Sequence, residues 1–207
     1  VEFTDYVQPN VALNDKELDA NFFQHLPYLD NFISEHKEMK LANAGGVHIE
    51  PMGVYSRKIK KLDELSDGAS VAIPNDPTNG GRSLLLLEKA GLLKLREGSG
   101  TNPTVHDITE NKKNLKFQEV EAAQVPRTLD DVDAAVINTN YAMQANLVPT
   151  KDALFMEDST SPYVNIVAVR TGDEKRPEIQ ALMKALRSEE VKKFIDEKYK
   201  GAIVPAF

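Results

Sequence analysis

The sequence contains no cysteine, which excludes disulfide bonds, thiolate metal ligands and catalytic thiols. It contains no apolar run long enough to span a bilayer as a helix, and we recognise no signal peptide in it. Catalytic motifs are missing as well. There is no G-x-S-x-G elbow, no phosphate loop with a lysine and no H-E-x-x-H metal motif. These absences argue against an enzyme and against a bound cofactor or metal.

Positive charge is also scarce. Lysine and arginine number 25 against 32 acidic residues, which gives a net charge of -7. This balance argues against a nucleic-acid partner, because such partners require a basic surface. The 207 residues suffice for one large domain or two small ones. Strand-like and helix-like patterns recur at short spacing and predict an α/β fold.

The most informative stretch runs from residue 70 to residue 83. Ser70-Val71-Ala72-Ile73 predicts a short strand, and a helix is expected to begin near Thr78 or Asn79, both good N-cap residues. A helix N-terminus presents unpaired N–H groups and therefore suits an anion. Gly80 and Gly81 have no side chains, so a ligand could approach the backbone closely there.

Arg82 follows the two glycines and is expected in the first turn of this helix. A cation there opposes the helix dipole and costs about 0.3–1 kcal/mol unless something compensates. Two interpretations stay open. Arg82 pairs with the carboxylate of a ligand through two parallel hydrogen bonds, or it is solvated or bridged to a surface aspartate.

Three asparagines stand in positions that favour ligand contact. Asn138 and Asn140 follow the apolar strand predicted at residues 133–137, and strand ends of α/β sheets are where ligands bind. An amide offers a donor and an acceptor, which fits the head group of an amino acid. The alternative is that one of the two caps a helix. Asn165 lies inside an apolar strand, where it must bond either a neighbouring backbone or a ligand.

Aromatic and histidine residues form another candidate group. His25 and Tyr28 lie three residues apart, which would place them on one face of a helix. A plain alternative assigns the neighbouring apolar residues to the core, namely Phe22, Phe23, Leu26 and Leu29. For His48, a partly buried ring bonded to backbone is favoured over a ligand role.

Four motifs resemble the NlpA/MetQ family, the methionine-binding lipoproteins of ABC importers. They are Asn21-Phe22-Phe23-Gln24-His25-Leu26-Pro27-Tyr28-Leu29, Pro74-Asn75-Asp76-Pro77-Thr78-Asn79-Gly80-Gly81-Arg82, Ile137-Asn138-Thr139-Asn140-Tyr141-Ala142 and Ser161-Pro162-Tyr163-Val164-Asn165. They occur in the order of the family, and the resemblance extends over the whole chain.

The resemblance implies a two-lobe, periplasmic-binding-protein-like fold of type II. Crossings between lobes are expected at Pro51 and Pro162. Lobe I would comprise residues 1–52 and 172–207, and lobe II residues 53–171. Val1-Glu2-Phe3-Thr4 is interpreted as a strand already under way, so the chain is expected to lack the first βα unit of the family. An open sheet position would then favour a strand-exchanged dimer.

The function implied is capture of methionine in a cleft between the lobes and delivery to the permease and ATPase of an importer. A lipid anchor outside this sequence would hold the protein at the extracytoplasmic face of the membrane. The implied ligand contacts are Asn79, Arg82, Asn138, Asn140 and Asn165 for the head group and Tyr6, His25 and Tyr28 for the side chain. A short methionine-containing peptide or another small solute is the alternative ligand.

Overall fold

Helices and strands alternate along the chain, as the sequence pattern predicts. The computed structural model describes residues 1–158 and 160–207. Its α-helices are α1 (Gln8–Asn14), α2 (Leu26–Glu35), α3 (Pro77–Lys89), α4 (Thr139–Gln144), α5 (Pro149–Asp152), α6 (Pro177–Leu186) and α7 (Glu189–Tyr199). Short 3₁₀ helices span Leu62–Glu64, Val105–Asp107 and Val125–Asp130.

Short strands separate these helices. They are β1 (Asn21–His25), β2 (Leu41–Ile49), β3 (Gly53–Tyr55), β4 (Ser70–Pro74), β5 (Lys94–Leu95), β6 (Ile108–Glu110), β7 (Lys116–Val120), β8 (Ala134–Ile137), β9 (Phe155–Met156), β10 (Val164–Arg170) and β11 (Val204–Pro205). The described residues group into two compact units, one made of residues 1–50 and 160–207 and the other of residues 51–158.

The first unit is built on a sheet with the strand order β1-β10-β2-β11, in which every pairing is antiparallel. Successive side chains of a strand point to opposite faces. Ile166 and Ala168 of β10 accordingly pack with Leu13 and Leu29, whereas Val167 and Val169 of β10 pack on the other face against α6. Helices cover both faces of β10, which explains its nearly continuous apolar sequence.

The second unit contains a sheet with the order β7-β4-β8-β3-β9 and a small antiparallel pair of β5 with β6. Strands β7, β4 and β8 run parallel, and β3 pairs antiparallel with both β8 and β9. Leu84 and Leu87 of α3 join Val71 and Ile73 of β4 in the apolar core of this unit. In a parallel sheet covered by helices, the carboxyl ends of the strands lie on one side of the sheet. The end of β4 and the start of α3 lie on that side.

Two expectations about chain organisation are wrong. The segment 160–171 was assigned to lobe II, but β10 pairs with β1 and β2 and therefore belongs to the first unit. The chain passes from the first unit to the second between Glu50 and Pro51, and it returns to the first unit after residue 158. Val1–Thr4 form no strand. The predicted strand at 70–73 is present as β4.

Candidate functional site

The second unit places an acidic side chain at the start of α3. Asp76 is the N-cap residue, and its Oδ1 accepts hydrogen bonds from the Asn79 backbone N–H at 2.9 Å and from the Thr78 hydroxyl at 3.0 Å. Proline at the first helical position suits this geometry. The predicted start at Thr78 or Asn79 is therefore late by one or two residues. A carboxylate of the chain itself satisfies the anion preference of this helix end.

The two glycines of α3 admit protein backbone instead of a ligand. A Cβ atom on Gly80 would lie 2.9 Å from the carbonyl oxygen of Pro74, and one on Gly81 would lie 2.7 Å from the Cα of Asn102. Real Cβ atoms do not approach backbone so closely. The absence of side chains at these positions lets α3 pack against its own strand and a neighbouring loop.

Arg82 is buried and paired with Glu157. Its Nε donates to Oε1 at 2.8 Å and its Nη2 to Oε2 at 2.5 Å, and the two side chains are only 4% and 11% exposed. Oε2 also accepts the backbone N–H of Met52 at 3.0 Å. Arg82 is the sixth residue of α3, beyond the first turn in which the helix dipole acts most strongly. A carboxylate of the protein itself, that of Glu157, therefore compensates the positive charge of Arg82.

Asn79 and Asn138 link α3 to the end of β8. Asn138 Nδ2 donates to Asn79 Oδ1 at 2.9 Å, and Asn79 Nδ2 in turn donates to the carboxylate of Asp76. Asn138 is 7% exposed, and its Oδ1 atom is buried without a hydrogen-bond partner in the structure. A buried acceptor that lacks a donor costs about 1–3 kcal/mol and calls for an explanation.

Asn138 occupies the N-cap position of α4, but its side chain makes no capping hydrogen bond. The alternative that one of the two asparagines caps a helix is therefore confirmed for the position of Asn138, but its side chain does not do the capping. The hydroxyl of Thr139 donates to the carbonyl oxygen of Pro51 at 2.5 Å and anchors the first turn of α4. Asn140 follows in the same turn and is half-buried.

In the first unit, His25 is the N-cap of α2. Its Nδ1 accepts the backbone N–H of Tyr28 at 3.1 Å. The imidazole must leave Nδ1 unprotonated to do so, and in a neutral ring the proton then sits on Nε2, which acts as a donor. His25 is buried, and its ring contacts that of Tyr163 with centroids 5.0 Å apart. The spacing of His25 and Tyr28 therefore reflects helix capping as well as a shared surface.

Aromatic rings surround this helix start. Tyr6, Phe23 and Tyr28 pack with centroid separations of 5.8–6.2 Å, and the Tyr28 hydroxyl donates to the carbonyl oxygen of Tyr6 at 3.1 Å. Phe22, in contrast, is 40% exposed, and Leu26 is 36% exposed. The plain assignment of these two residues to the core is wrong, because β1 turns Phe22 away from the buried face.

Asn165 of β10 is 8% exposed, and its Nδ2 lies 3.3 Å from Nε2 of His48 on the paired strand β2. Nε2 of His48 also lies 2.9 Å from Oε1 of Glu50. His48 therefore bonds side chains instead of the backbone expected from the sequence.

The predicted residues fall into two groups. Tyr6, His25, Tyr28 and Asn165 lie in the first unit, and Asn79, Arg82, Asn138 and Asn140 in the second. Sequence reasoning missed Asp76 and Glu157. Asp76 stands where a capping residue before proline is expected, so the capping rule could have found it. Nothing in the local sequence marks Glu157, because its partner Arg82 is 75 residues away.

Within the described residues, no cluster of three or more histidine or acidic side chains is arranged to hold a metal ion. None of the helices described is both long and apolar enough to cross a membrane.

Two α/β units with polar side chains at strand ends and helix starts define a periplasmic-binding-protein-like solute receptor, as predicted. The chain belongs to the NlpA lipoprotein family, whose profile matches residues 1–207. The resemblance inferred from the four motifs is thereby confirmed.

Two relatives are about half identical to this chain in sequence. The probable D-methionine-binding lipoprotein MetQ of Vibrio cholerae is 52% identical over 204 residues, which cover 99% of this chain and 76% of the relative. The D-methionine-binding lipoprotein MetQ of Escherichia coli K12 is 50% identical over 206 residues, with the same coverage.

Solved structures agree with this assignment. A nutrient-binding protein of Burkholderia cenocepacia bound to methionine is 54% identical, with a TM-score of 0.96 and coverage of 100% of this chain and 87% of that one. A protein described as the methionine-binding protein MetQ is 49% identical, with a TM-score of 0.96 and coverage of 100% and 85%.

Proposed function

We propose that this protein binds methionine and delivers it to the permease and ATPase of an ABC importer, without catalysing a reaction. The observation that carries the proposal is the methionine-bound relative, which shares 54% of its residues and the fold of the whole chain. The buried, unpartnered Oδ1 of Asn138 supports it independently, because an amino-acid ammonium group is a strong donor for such an acceptor.

We assign the head group of methionine to the second-unit group. Arg82 would bind the carboxylate, while Asn79, Asn138 and Asn140 offer amide donors and acceptors to the ammonium and carboxylate. Because Glu157 occupies the Nε–Nη2 edge of the guanidinium, a ligand carboxylate would share Arg82 with Glu157. From the first unit, we assign Asn165 to the head group as well.

The methionine side chain is assigned to the aromatic group formed by Tyr6, His25 and Tyr28. A thioether makes favourable contacts with ring edges and fills irregular apolar spaces. The T-shaped packing of Tyr6 on Tyr28 and of His25 on Tyr28 presents such edges.

Titration calorimetry with L-methionine, D-methionine and norleucine tests the proposal. Norleucine is the matched control, since it replaces only the sulfur by a methylene group. We expect one methionine enantiomer to bind and norleucine to bind more weakly. A peptide ending in methionine that binds while both enantiomers fail would favour the alternative ligand class, and absence of binding to all four would contradict the proposal.

The relatives are named lipoproteins, and we extend to this protein a lipid-anchored location at the extracytoplasmic face of the cell membrane. Metabolic labelling of the natural protein with a fatty acid would test the anchor. We also keep the strand-exchanged dimer as a proposal, because β1 lies at an edge of its sheet. Light scattering that gives the mass of one chain at high concentration would contradict it.

A further inference from the structure

Glu157 places a negative charge beside Arg82 in the second unit. We propose that Glu157 determines which charge class of ligand is bound: by neutralising Arg82, it makes the second-unit group select zwitterionic amino acids over simple carboxylate anions. The inference rests on the proposed function, and it assigns a specificity role to a residue outside the predicted ligand contacts.

The first step is the net charge of the pair. Both oxygens of Glu157 accept hydrogen bonds, Oε1 from Arg82 Nε and Oε2 from Arg82 Nη2 and the Met52 N–H. A guanidinium is always charged, and a carboxyl group that accepts from it through both oxygens is in its ionised form. The two buried side chains therefore sum to zero charge.

The second step is the arrangement around the pair. Asn79 and Arg82 lie three residues apart on α3 and so share one face of that helix. Asn138 is bonded to Asn79, and its buried Oδ1 offers an acceptor next to this face. The neighbourhood of Arg82 thus combines a cation, an orphaned acceptor and two carboxylates, namely Glu157 and the helix-capping Asp76 that is bonded to Asn79.

The third step is the response of a ligand to these charges. A simple carboxylate anion is attracted by Arg82 and repelled by Glu157, so it gains hydrogen bonds but little net electrostatic energy. An ammonium group on the same ligand is attracted by Glu157 and can donate to Asn138 Oδ1. Charges in a poorly solvated site interact over several ångströms, so the balance differs strongly between the two ligand classes.

The variant Glu157→Gln removes the negative charge and keeps the size of the side chain. Calorimetry would compare methionine with 4-(methylthio)butanoate, which lacks only the ammonium group. We expect the wild-type protein to bind methionine more tightly than 4-(methylthio)butanoate. In the variant, the ratio of the two affinities should fall roughly tenfold. Asp158→Asn is the matched control. It removes the same charge from the residue next to Glu157, and the side chain of Asp158 is paired with Lys89 at the exposed surface. An unchanged preference in folded Glu157→Gln would overturn the inference.

A second measurement needs no variant and decides the question if Glu157→Gln does not fold. Methioninamide keeps the ammonium and lacks the carboxylate, so it is the cationic counterpart of 4-(methylthio)butanoate. A neutral pair predicts that wild-type protein binds the cation no more weakly than the anion. If 4-(methylthio)butanoate binds more than tenfold more tightly than methioninamide, the inference is overturned. The proposed function still stands in that case, provided that methionine itself binds. Failure to bind methionine at all would remove both.

Discussion

Replacing Arg82 by alanine tests the buried ion pair of the second unit. If Arg82 only opposed the helix dipole, this change would spare folding, because it would relieve an unfavourable interaction. The structure reverses that expectation. Arg82→Ala would leave the carboxylate of Glu157, only 11% exposed, without its two-donor partner. Breaking a buried pair on one side costs about 3–5 kcal/mol, a large part of the 5–15 kcal/mol typical of a folded domain.

Urea unfolding followed by circular dichroism would measure this loss. The matched control is Arg57→Ala, which removes another arginine paired with a carboxylate. In this case Nη1 alone contacts both oxygens of Asp130, and the side chains are 53% and 71% exposed. Exposed pairs contribute less than about 1 kcal/mol. The double change Arg82→Met with Glu157→Met should recover most of the stability, since no unpaired charge remains. A loss for Arg82→Ala no larger than that for Arg57→Ala would refute the reasoning.

Three further predictions concern local structure. His25→Ala should destabilise the protein by about 1 kcal/mol, because the Tyr28 N–H loses its acceptor, whereas His25→Asn should cost less by keeping a capping side chain; chemical unfolding compares them. Gly81→Ala should cost about 1–3 kcal/mol through overpacking against backbone, and a Tm unchanged from wild type would contradict this. A hydrogen bond from the Ser70 N–H lowers the pKa of Asp133 below its ordinary value of 3.8. The stability that the Asp133 carboxylate contributes is therefore complete above that value and is lost as the pH falls through the folded-state pKa. Acid unfolding of the variant Asp133→Asn should lack this pH-dependent loss of stability.

The α/β character, the strand feeding α3 and the family itself could be predicted from the sequence. Apolar strands such as β4 and β8 are buried on both faces, and their continuous apolar residues reveal this locally. The four motifs in family order identified the family, which the profile match over residues 1–207 confirms.

Long-range pairings could not be predicted. The assignment of β10 to the wrong unit arose because its partners β1 and β2 lie more than a hundred residues away in sequence, and no local pattern names them. The same limit hid the pairing of Arg82 with Glu157 and the close approach of the Asn102 backbone to Gly81. For Arg82 and for Gly81 of α3, the sequence indicated an unusual residue but did not identify the residue that it contacts.

A crystal structure of the protein with methionine bound would test the central claim most directly. The account predicts that the methionine ammonium lies within hydrogen-bond distance of Asn138 Oδ1 and that the carboxylate contacts the guanidinium of Arg82, while Glu157 keeps its pairing. Methionine bound away from both Arg82 and Asn138 would contradict the account.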